Sequence, residues 1–295
     1  MKNALSRKAD QVLYEQEDRR SVPELPGKLE PYDMATLPEG ASQNHLAPNA
    51  CLQTGLFGMV QRGRRRLIEH KKIYSFQGVT IHFTGGELDQ GDLDVFLQAI
   101  HLAAKQHAMG DQRKSALVEF SAHGFLKAIG RSPGKSGREW LLKSIRRLSA
   151  CVVEVQMANH RYGGNIYGGS LIYDYYYDSR AKKYYFRINN CLGEMFRIGW
   201  TPLQWQQRLQ LRTGLAKWLH GLYSSMEVYP MRVETLRALS RSRCGRLVDF
   251  RRKLKMALDE LVKSETIESW EIDQEDKVHV RSVKRAIEDR DQGGA

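Results

Sequence analysis

Three stretches of the chain concentrate the side chains that bind phosphate. Residues 62–72, 127–147 and 237–255 carry net charges of +5, +6 and +7, counted as Lys plus Arg minus Asp plus Glu. Together they exceed the +12 of the whole 295-residue chain, so the remainder is close to neutral or acidic. With a sequence pI near 9.5, this charge favours a polyanionic partner. Charge alone leaves nucleic acid, an anionic membrane and an acidic protein open.

The last two clusters predict a DNA-binding surface, because each falls on a predicted helix that follows another helix and precedes a predicted β-hairpin. The third cluster is basic at its start, where a helix dipole favours acids by about 0.3–1 kcal/mol, so folding alone does not explain it. The alternative for each cluster is a solvated helix face. The predicted DNA contacts, including two in the first hairpin, are Lys135, Arg138, Lys143, Arg146, Arg147, Lys182, Lys183, Arg241, Arg243, Arg246, Arg251, Arg252, Lys253 and Lys255.

Two further groups can bind other partners. Tyr173, Tyr175 and Tyr177 alternate along a predicted strand, where they serve either packing within the hairpin or stacking on unpaired bases. The segment Gln53-Thr54-Gly55-Leu56-Phe57 is similar to the pentapeptide that binds the bacterial sliding clamp. Leu56 and Phe57 can anchor in an apolar groove while Gln53 fixes the register, or the pair can fold back onto the first domain.

Enzyme motifs fail on spacing, so we expect no catalytic residues, no metal site and no cofactor. Gly130–Ser136 is similar to a phosphate loop, but the first glycine lies four positions before the second instead of five, and a helix precedes it. A nicking enzyme needs two histidines separated by one residue, and no pair of the nine histidines has that spacing. His101 and His107, six residues apart on a helix, form a poor metal pair.

Cysteine usage and hydropathy indicate a cytoplasmic protein. Cys51, Cys151, Cys191 and Cys244 include no CxxC pair, which argues against a zinc finger, and we interpret them as reduced packing residues. No apolar run is long enough to span a membrane. The N-terminal segment MKNALSRKADQVLYEQEDRR has no apolar core and carries early acids, so it does not form a signal peptide.

Hydrophobic periodicity predicts an α+β fold of tandem winged helix-turn-helix domains preceded by a flexible N-terminal tail. A strand pair around Gly78 precedes a helix with a stripe from Leu93 to Ile100, which Asp92 can cap. Two helices, the first capped by Ser121 and the second near 135–150, lead into strands near 152–155, 170–177 and 183–188. The same order of helices followed by a hairpin then repeats, with helices near 215–226, 233–239 and 247–261 and strands near 267–272 and 278–283.

The predicted domain boundaries follow from these elements. Residues 1–71 form a flexible tail with the clamp-binding-like motif and a basic linker, because five of the eight prolines precede Cys51. Residues 72–195 form the first winged-helix domain, 196–284 the second, and 285–295 a flexible C-terminal tail. Two such helices in successive major grooves span roughly 34 Å, which suits an asymmetric site better than a palindrome.

Long collinear runs carry a resemblance to a known family. From about Leu52 to Ile287 the chain resembles the TrfA family of replication initiators from broad-host-range IncP-type plasmids, most clearly in MVQRGRRRLIEHKKIYSFQGV, GREWLLKSIRRLSACVVEV and RLVDFRRKLKMALDELV. The family has longer and shorter forms, and this chain is similar to a shorter one.

The resemblance implies a non-enzymatic initiator that binds double-stranded direct repeats (iterons) at a plasmid origin. It implies that neighbouring AT-rich DNA is opened, with contact to single strands there. Expected host partners are the initiator DnaA, the DnaB helicase and the sliding clamp, the last through Gln53, Leu56 and Phe57. A monomer–homodimer equilibrium would control copy number, with monomers binding iterons. A winged-helix transcriptional regulator is the alternative, because fold does not fix function.

Overall fold

Eight helices and fourteen strands are present in the part of the chain that the computed structural model describes. That part comprises residues 44–60, 63, 65–73, 79–108, 117–157, 165–189, 195–196 and 199–283. The predictions for residues 1–43, Cys191 and residues 285–295 lie outside it. The helices are α1 Asn49–Leu52, α2 Gln90–Ala108, α3 Ala122–Ala128, α4 Lys135–Ser149, α5 Trp205–Gln210, α6 Gly214–Ser225, α7 Val233–Leu239 and α8 Leu247–Lys263.

Within the described residues the strands form five small sheets, four of them antiparallel and one, β2 with β5, parallel. The strands are β1 His45–Pro48, β2 Phe57–Gly58, β3 Leu67–Ile73, β4 Val79–Gly86, β5 Leu88–Asp89, β6 Leu117–Phe120, β7 Val152–Met157, β8 Asn165–Gly169, β9 Ile172–Asp178, β10 Lys183–Ile188, β11 Trp200–Leu203, β12 Met231–Arg232, β13 Ile267–Ile272 and β14 Lys277–Ser282.

One arrangement of elements occurs twice along the chain. In the first copy, β6 leads into α3 and α4, and the β9–β10 hairpin follows, with strand order β6-β10-β9. In the second copy, β12 leads into α7 and α8, and the β13–β14 hairpin follows, with strand order β12-β14-β13. In both, the strand before the helices pairs with the second strand of the hairpin. The predicted repeat of two helices and a hairpin is therefore confirmed at the level of its elements.

The first copy contains an insertion that separates α4 from its hairpin. β7 and β8 follow α4 and pair with β4 and with each other, which gives a four-stranded sheet of order β3-β4-β7-β8. The predicted strand at residues 152–155 is confirmed, but its partner is β4, which precedes α2, α3 and α4 in the chain. The chain thus mixes helices and antiparallel sheets, as the predicted α+β class requires.

Helix α2 begins differently from the prediction. Asp89, not Asp92, caps it, since one Asp89 carboxylate oxygen accepts hydrogen bonds from the N–H groups of Gly91 (2.8 Å) and Asp92 (3.0 Å). Ser121 caps α3 as predicted, through a 3.1 Å bond from the N–H of Gly124. The Asp92 carboxylate completes this cap, because its Oδ2 accepts a 3.1 Å hydrogen bond from the N–H of Asp89, and it also binds side chains on other elements.

The buried apolar side chains of the described residues form two clusters. The first core draws on residues between Leu46 and Trp205, and the second on residues between Leu211 and Val278. The second contains the buried face of α8, made of Phe250, Leu254, Ala257, Leu258 and Leu261. The division of the chain into folding domains stays a prediction. No helix in the described part is both long and apolar enough to cross a bilayer.

The prediction of a flexible tail up to residue 71 is wrong for residues 45–58. His45–Pro48 and Trp200–Leu203 pair as β1 and β11, which lie far apart in the chain, and Phe57 pairs with Leu88. Every side chain of β1 and β2 is buried. The high proline content before Cys51 suggested a tail, but Pro48 lies at the edge of a two-stranded sheet, where no N–H is needed for the ladder.

Candidate nucleic-acid interface

Helix α4 separates apolar and charged side chains cleanly. Its apolar face packs into the first core through Leu141, Ile145 and Leu148, each at most 1% exposed. Positions on the opposite side of the helix carry Lys135, Glu139, Lys143 and Arg146, and all four are exposed. Arg138 is exposed on the flank of the helix. Burial raises the pKa of Tyr184, and the nearby charge of Arg138 opposes that rise. The outward face of this helix is thus dominated by charged side chains.

Arg147 does not belong to that face, so its placement gives no support to the predicted contact with DNA. Its guanidinium turns towards α2, where Nη2 lies 2.6 Å and Nε 3.2 Å from Oδ1 of the fully buried Asp92. Arg65 donates to the same carboxylate at 3.0 Å, and the hydroxyl of Ser144 donates at 2.6 Å. A buried carboxylate needs such compensation, and Arg147 supplies it from the body of α4.

The β9–β10 hairpin retains one predicted contact with no ion-pair partner among the described residues. Lys182 is exposed in the turn with a left-handed backbone (φ +53°). Lys183 instead forms an ion pair with Glu119 across the sheet, and this bond raises the pKa of the lysine. The charge of Lys183, which was predicted to contact phosphate, is therefore offset by Glu119 within the sheet.

The hairpin tyrosines do not share one uniform face. A register shift between Arg187 and Ile188 interrupts the alternation expected for Tyr173, Tyr175 and Tyr177. The Tyr177 ring lies 4.5 Å from that of Tyr184, which stacks in turn on Phe120, so packing accounts for it. Tyr173 lies under the guanidinium of Arg187 at 5.0 Å, and Arg187 is paired with Asp174. Packing and ion pairing account for these two rings.

Two of the arginines that precede α8 make contacts within the fold, which give no support to their predicted contacts with DNA. Arg241 has a left-handed backbone (φ +51°) and packs over Gly55, whose carbonyl lies 3.5 Å from its Nη1. Burial lowers the pKa of Arg241. Arg243 forms an ion pair with the buried Glu87. Both side chains therefore attach the turn before α8 to residues 55 and 87.

Two more cations near α8 have partners within the second copy. Arg246 pairs with Asp249 one turn later, at 2.8 Å, but its side chain remains 78% exposed. Arg251 forms two 2.8 Å hydrogen bonds with Asp276 in the β13–β14 turn, which raise its pKa. Asp276 itself occupies a left-handed position (φ +62°). Arg251 therefore positions the hairpin turn against α8.

Eight of the fourteen predicted contacts keep exposed cations that form no ion pair within the described residues. They lie on the outward side of α4, on the outward side of α8 and in one hairpin turn. They are Lys135, Arg138, Lys143, Arg146, Lys182, Arg252, Lys253 and Lys255. Since both second helices contribute, the arrangement offers phosphate two separate rows of cations.

Fewer unfavourable charges lie at the start of α8 than the sequence suggested. Helix α8 begins at Leu247, so Arg241 and Arg243 lie outside it, whereas Arg246 is its N-cap residue and is paired with Asp249 of the first turn. The first turn contains Asp249 and the last contains Lys263, which is the order that the dipole favours. Of the cluster at 237–255, only Arg251 to Lys255 carry cations inside the helix. They lie beyond the first turn, where the helix dipole has little effect on them.

The clamp-binding-like motif is not an exposed docking pair. Leu56 is 1% exposed and Phe57 is fully buried, and the side chain of Gln53 donates to the carbonyl of Ser225 at 2.7 Å. The carbonyl of Thr54 accepts from the indole of Trp218 at 3.3 Å. In this conformation Gln53, Leu56 and Phe57 are folded back onto the core instead of being exposed to a partner, and their contact with the sliding clamp stays a prediction.

Sequence reasoning missed the buried carboxylates that position these elements. Asp94 is 2% exposed and binds Nε of the fully buried Arg208 at 2.7 Å and Nζ of Lys217 at 2.5 Å. Burial lowers the pKa of Lys217 more than Asp94 raises it. The network joins α2 to α5 and α6. The available signal was Asp92 and Asp94 inside an otherwise apolar helix.

Cys51, Cys151 and His101 pack against other residues of the fold. Cys51 and Cys151 are buried, as expected of packing residues, and burial raises the pKa of Cys151 to about 11. His101 stacks on His45 with ring centroids 4.1 Å apart, and the side chain of His107 lies outside the described residues. Within the described part of the chain, no three His, Cys, Asp or Glu side chains cluster as a metal site would require.

A family model and several solved structures are similar to this chain. A family model described as TrfA protein matches residues 8–282. Domains 2 and 3 of RctB share 13% identity over 73% of this chain and 86% of that chain, with a TM-score of 0.51, which shows a similar fold. The Pi initiator protein in complex with iteron DNA covers 66% of this chain and 96% of its own, at 11% identity and a TM-score of 0.44. No curated protein sequence matches significantly.

Proposed function

Because this chain belongs to the TrfA family of plasmid replication initiators, we propose that it binds direct repeats (iterons) in origin DNA through two winged-helix modules. The observation that carries the proposal is the repeated unit, whose second helix in both copies exposes cations with no ion-pair partner among the described residues. In α4 these are Lys135, Lys143 and Arg146, and in α8 they are Arg252 and Lys255. Each set faces away from the core of its own unit.

The strand order of both copies supports the winged-helix interpretation. In each, a strand before the two helices pairs with the second hairpin strand, so the hairpin is held beside the second helix. A helix held in this way can enter the major groove while the hairpin contacts the adjacent backbone. Lys182 lies in the turn of the first hairpin, where it supports that backbone contact.

Two such helices in one chain suit a tandem asymmetric site. Successive major grooves on one side of the duplex lie roughly 34 Å apart. A single chain therefore suffices for one repeat, and a palindrome is not required. This supports monomer binding to direct repeats, whereas a homodimer that does not bind them is supported by family membership alone.

Further steps at the origin belong to the same proposal. Opening of adjacent AT-rich DNA and loading of the DnaB helicase together with DnaA are supported by membership of the initiator family alone. We propose that the chain does this without catalysis of its own. Its segment most similar to a phosphate loop, Gly130–Ser136, connects α3 to α4, whereas a phosphate loop follows a strand.

The test is a footprint of the purified chain on the origin of the plasmid that encodes it. Protection of tandem direct repeats, with permanganate reactivity appearing in the adjacent AT-rich tract, is the expected result. Protection of a promoter palindrome would instead identify a transcriptional regulator. Hydrolysis of ATP, or nicking of supercoiled origin DNA by the chain alone, would contradict the non-enzymatic part of the proposal.

A further inference from the structure

Helix α8 exposes an apolar stripe that α4 lacks. Val248 and Met256 are each 58% exposed, and with Arg252 between them they occupy positions four residues apart. The core of the second copy contains Phe250, Leu254 and Leu261, so the stripe lies on the opposite side of the helix. Along α4, which is described over its whole length, no apolar side chain is comparably exposed.

The charge around this stripe indicates what can cover it. Arg252, Lys253 and Lys255 are exposed beside it and form no ion pair within the described residues. A protein partner with an apolar core would have to desolvate these cations, which is costly. The major groove of duplex DNA instead offers phosphates on both rims and the C5 methyl groups of thymine on its floor. Charge complementarity therefore favours duplex DNA as the occupant.

We propose that Val248, Arg252 and Met256 read base identity in the repeat, which rests on the proposed function. Val248 and Met256 contact thymine methyl groups, and Arg252 donates to base-edge acceptors between them. With a rise of 1.5 Å per residue, the stripe extends roughly 12 Å, which matches about four base pairs. Lys253 and Lys255 contact the phosphates beside these bases.

The outward face of α4 is expected to contact phosphate instead of bases. Its outward positions carry Lys135, Glu139, Lys143 and Arg146, none of them apolar. Lysine and arginine contacts to phosphate position a protein without reporting the sequence. The α8 half of each repeat is therefore expected to tolerate fewer thymine substitutions than the α4 half.

Val248 is the cleaner of the two apolar probes. Met256 also borders a cavity of about 430 Å³ that Met59, Leu215 and Phe250 line, whereas Val248 does not. Val262, 37% exposed on the same helix but off the stripe, provides a matched control. All three side chains are exposed, so truncation is expected to leave the fold intact.

The experiment measures the affinity of the full chain for its origin repeat with single thymines replaced by uracil, which removes one methyl group at a time. The unmodified chain should lose about fourfold in affinity at one or two positions of one half of the repeat. Val248→Ala and Met256→Ala should lose a similar factor on the thymine duplex and become insensitive to uracil at their position. Val262→Ala should match the unmodified chain, and Arg252→Ala should lose about tenfold or more of discrimination between repeat and scrambled DNA.

Each alternative outcome is informative. If the unmodified chain fails to prefer its repeat over scrambled DNA, both the proposed function and this inference are overturned. If it binds the repeat but Val248→Ala and Met256→Ala keep the full uracil effect, only the inference is overturned. The same holds if these variants change the oligomeric state and leave DNA binding untouched, because the stripe would then be a contact between copies of the chain.

Discussion

Helices α4 and α8 occupy equivalent places in the repeated unit but are fixed to the molecule in different ways. Helix α4 is anchored from within, because Arg147 near its C-terminal end reaches the buried Asp92 of α2. Helix α8 is anchored from the turn before it, through Arg241 against Gly55 and Arg243 against Glu87. Basic residues in both clusters therefore serve the fold. Positive charge along a sequence shows where phosphate could bind, and only the partners of each cation show where it remains available.

Of the substitutions that test how these helices are anchored, Phe57→Ala should have the largest effect on the free energy of unfolding. Its side chain is fully buried with its ring 6.1 Å from that of Phe96, and its carbonyl accepts a 2.6 Å hydrogen bond from Gln90. Phe57→Ala should lower the free energy of unfolding by about 3–5 kcal/mol. Urea unfolding measures it, and Phe57→Leu is the control that keeps most of the volume. An unchanged midpoint for Phe57→Ala would mean that this segment leaves the core in solution.

Arg147→Ala should cost nearly as much and tests the anchor of α4. The change leaves Asp92 with Arg65, Ser144 and the N–H of Asp89, so the loss should be about 3 kcal/mol, the lower limit for removing one partner of a buried pair. Thermal unfolding measures it, with the neighbouring Arg146→Ala as the matched control. Equal stability of the two variants would show that Arg147 does not bind Asp92 and would restore it to the DNA-binding face.

Two glycines at the start of these helices should respond differently to a methyl group. A Cβ on Gly137 would lie 2.0 Å from the carbonyl oxygen of Ser132, which is backbone and cannot move easily, whereas a Cβ on Gly245 would meet nothing within 4 Å. Gly137→Ala should therefore destabilise by about 1–3 kcal/mol. Gly245→Ala should stay within about 0.5 kcal/mol of the parent chain. Calorimetry of both variants distinguishes a tight α3–α4 turn from an open α7–α8 turn.

Local periodicity was enough to predict α4, α8 and both hairpins, since apolar residues at i, i+3 and i+4 or at alternate positions need no distant partner to be recognised. The partners of the cations were not predictable in this way. Asp92 lies 55 residues before Arg147, and Glu87 lies 156 residues before Arg243. The burial of Leu56 and Phe57 likewise depends on elements far along the chain, β5 and α6 among them. Proline content suggested an exposed segment there, because composition does not show which distant strand a segment will pair with.

Arg146→Ala should have the smallest effect on stability and the clearest effect on DNA. Its side chain is exposed without an ion-pair partner within the described residues, so unfolding should change by less than about 0.5 kcal/mol. Loss of one phosphate contact should reduce the slope of log affinity against log salt concentration by about 0.9. Glu139→Gln on the same face removes a negative charge and should strengthen binding at low salt. If Arg146→Ala left the slope unchanged while Lys255→Ala reduced it, phosphate would be bound by α8 and not by α4. The two helices would then be equivalent only in their place in the fold.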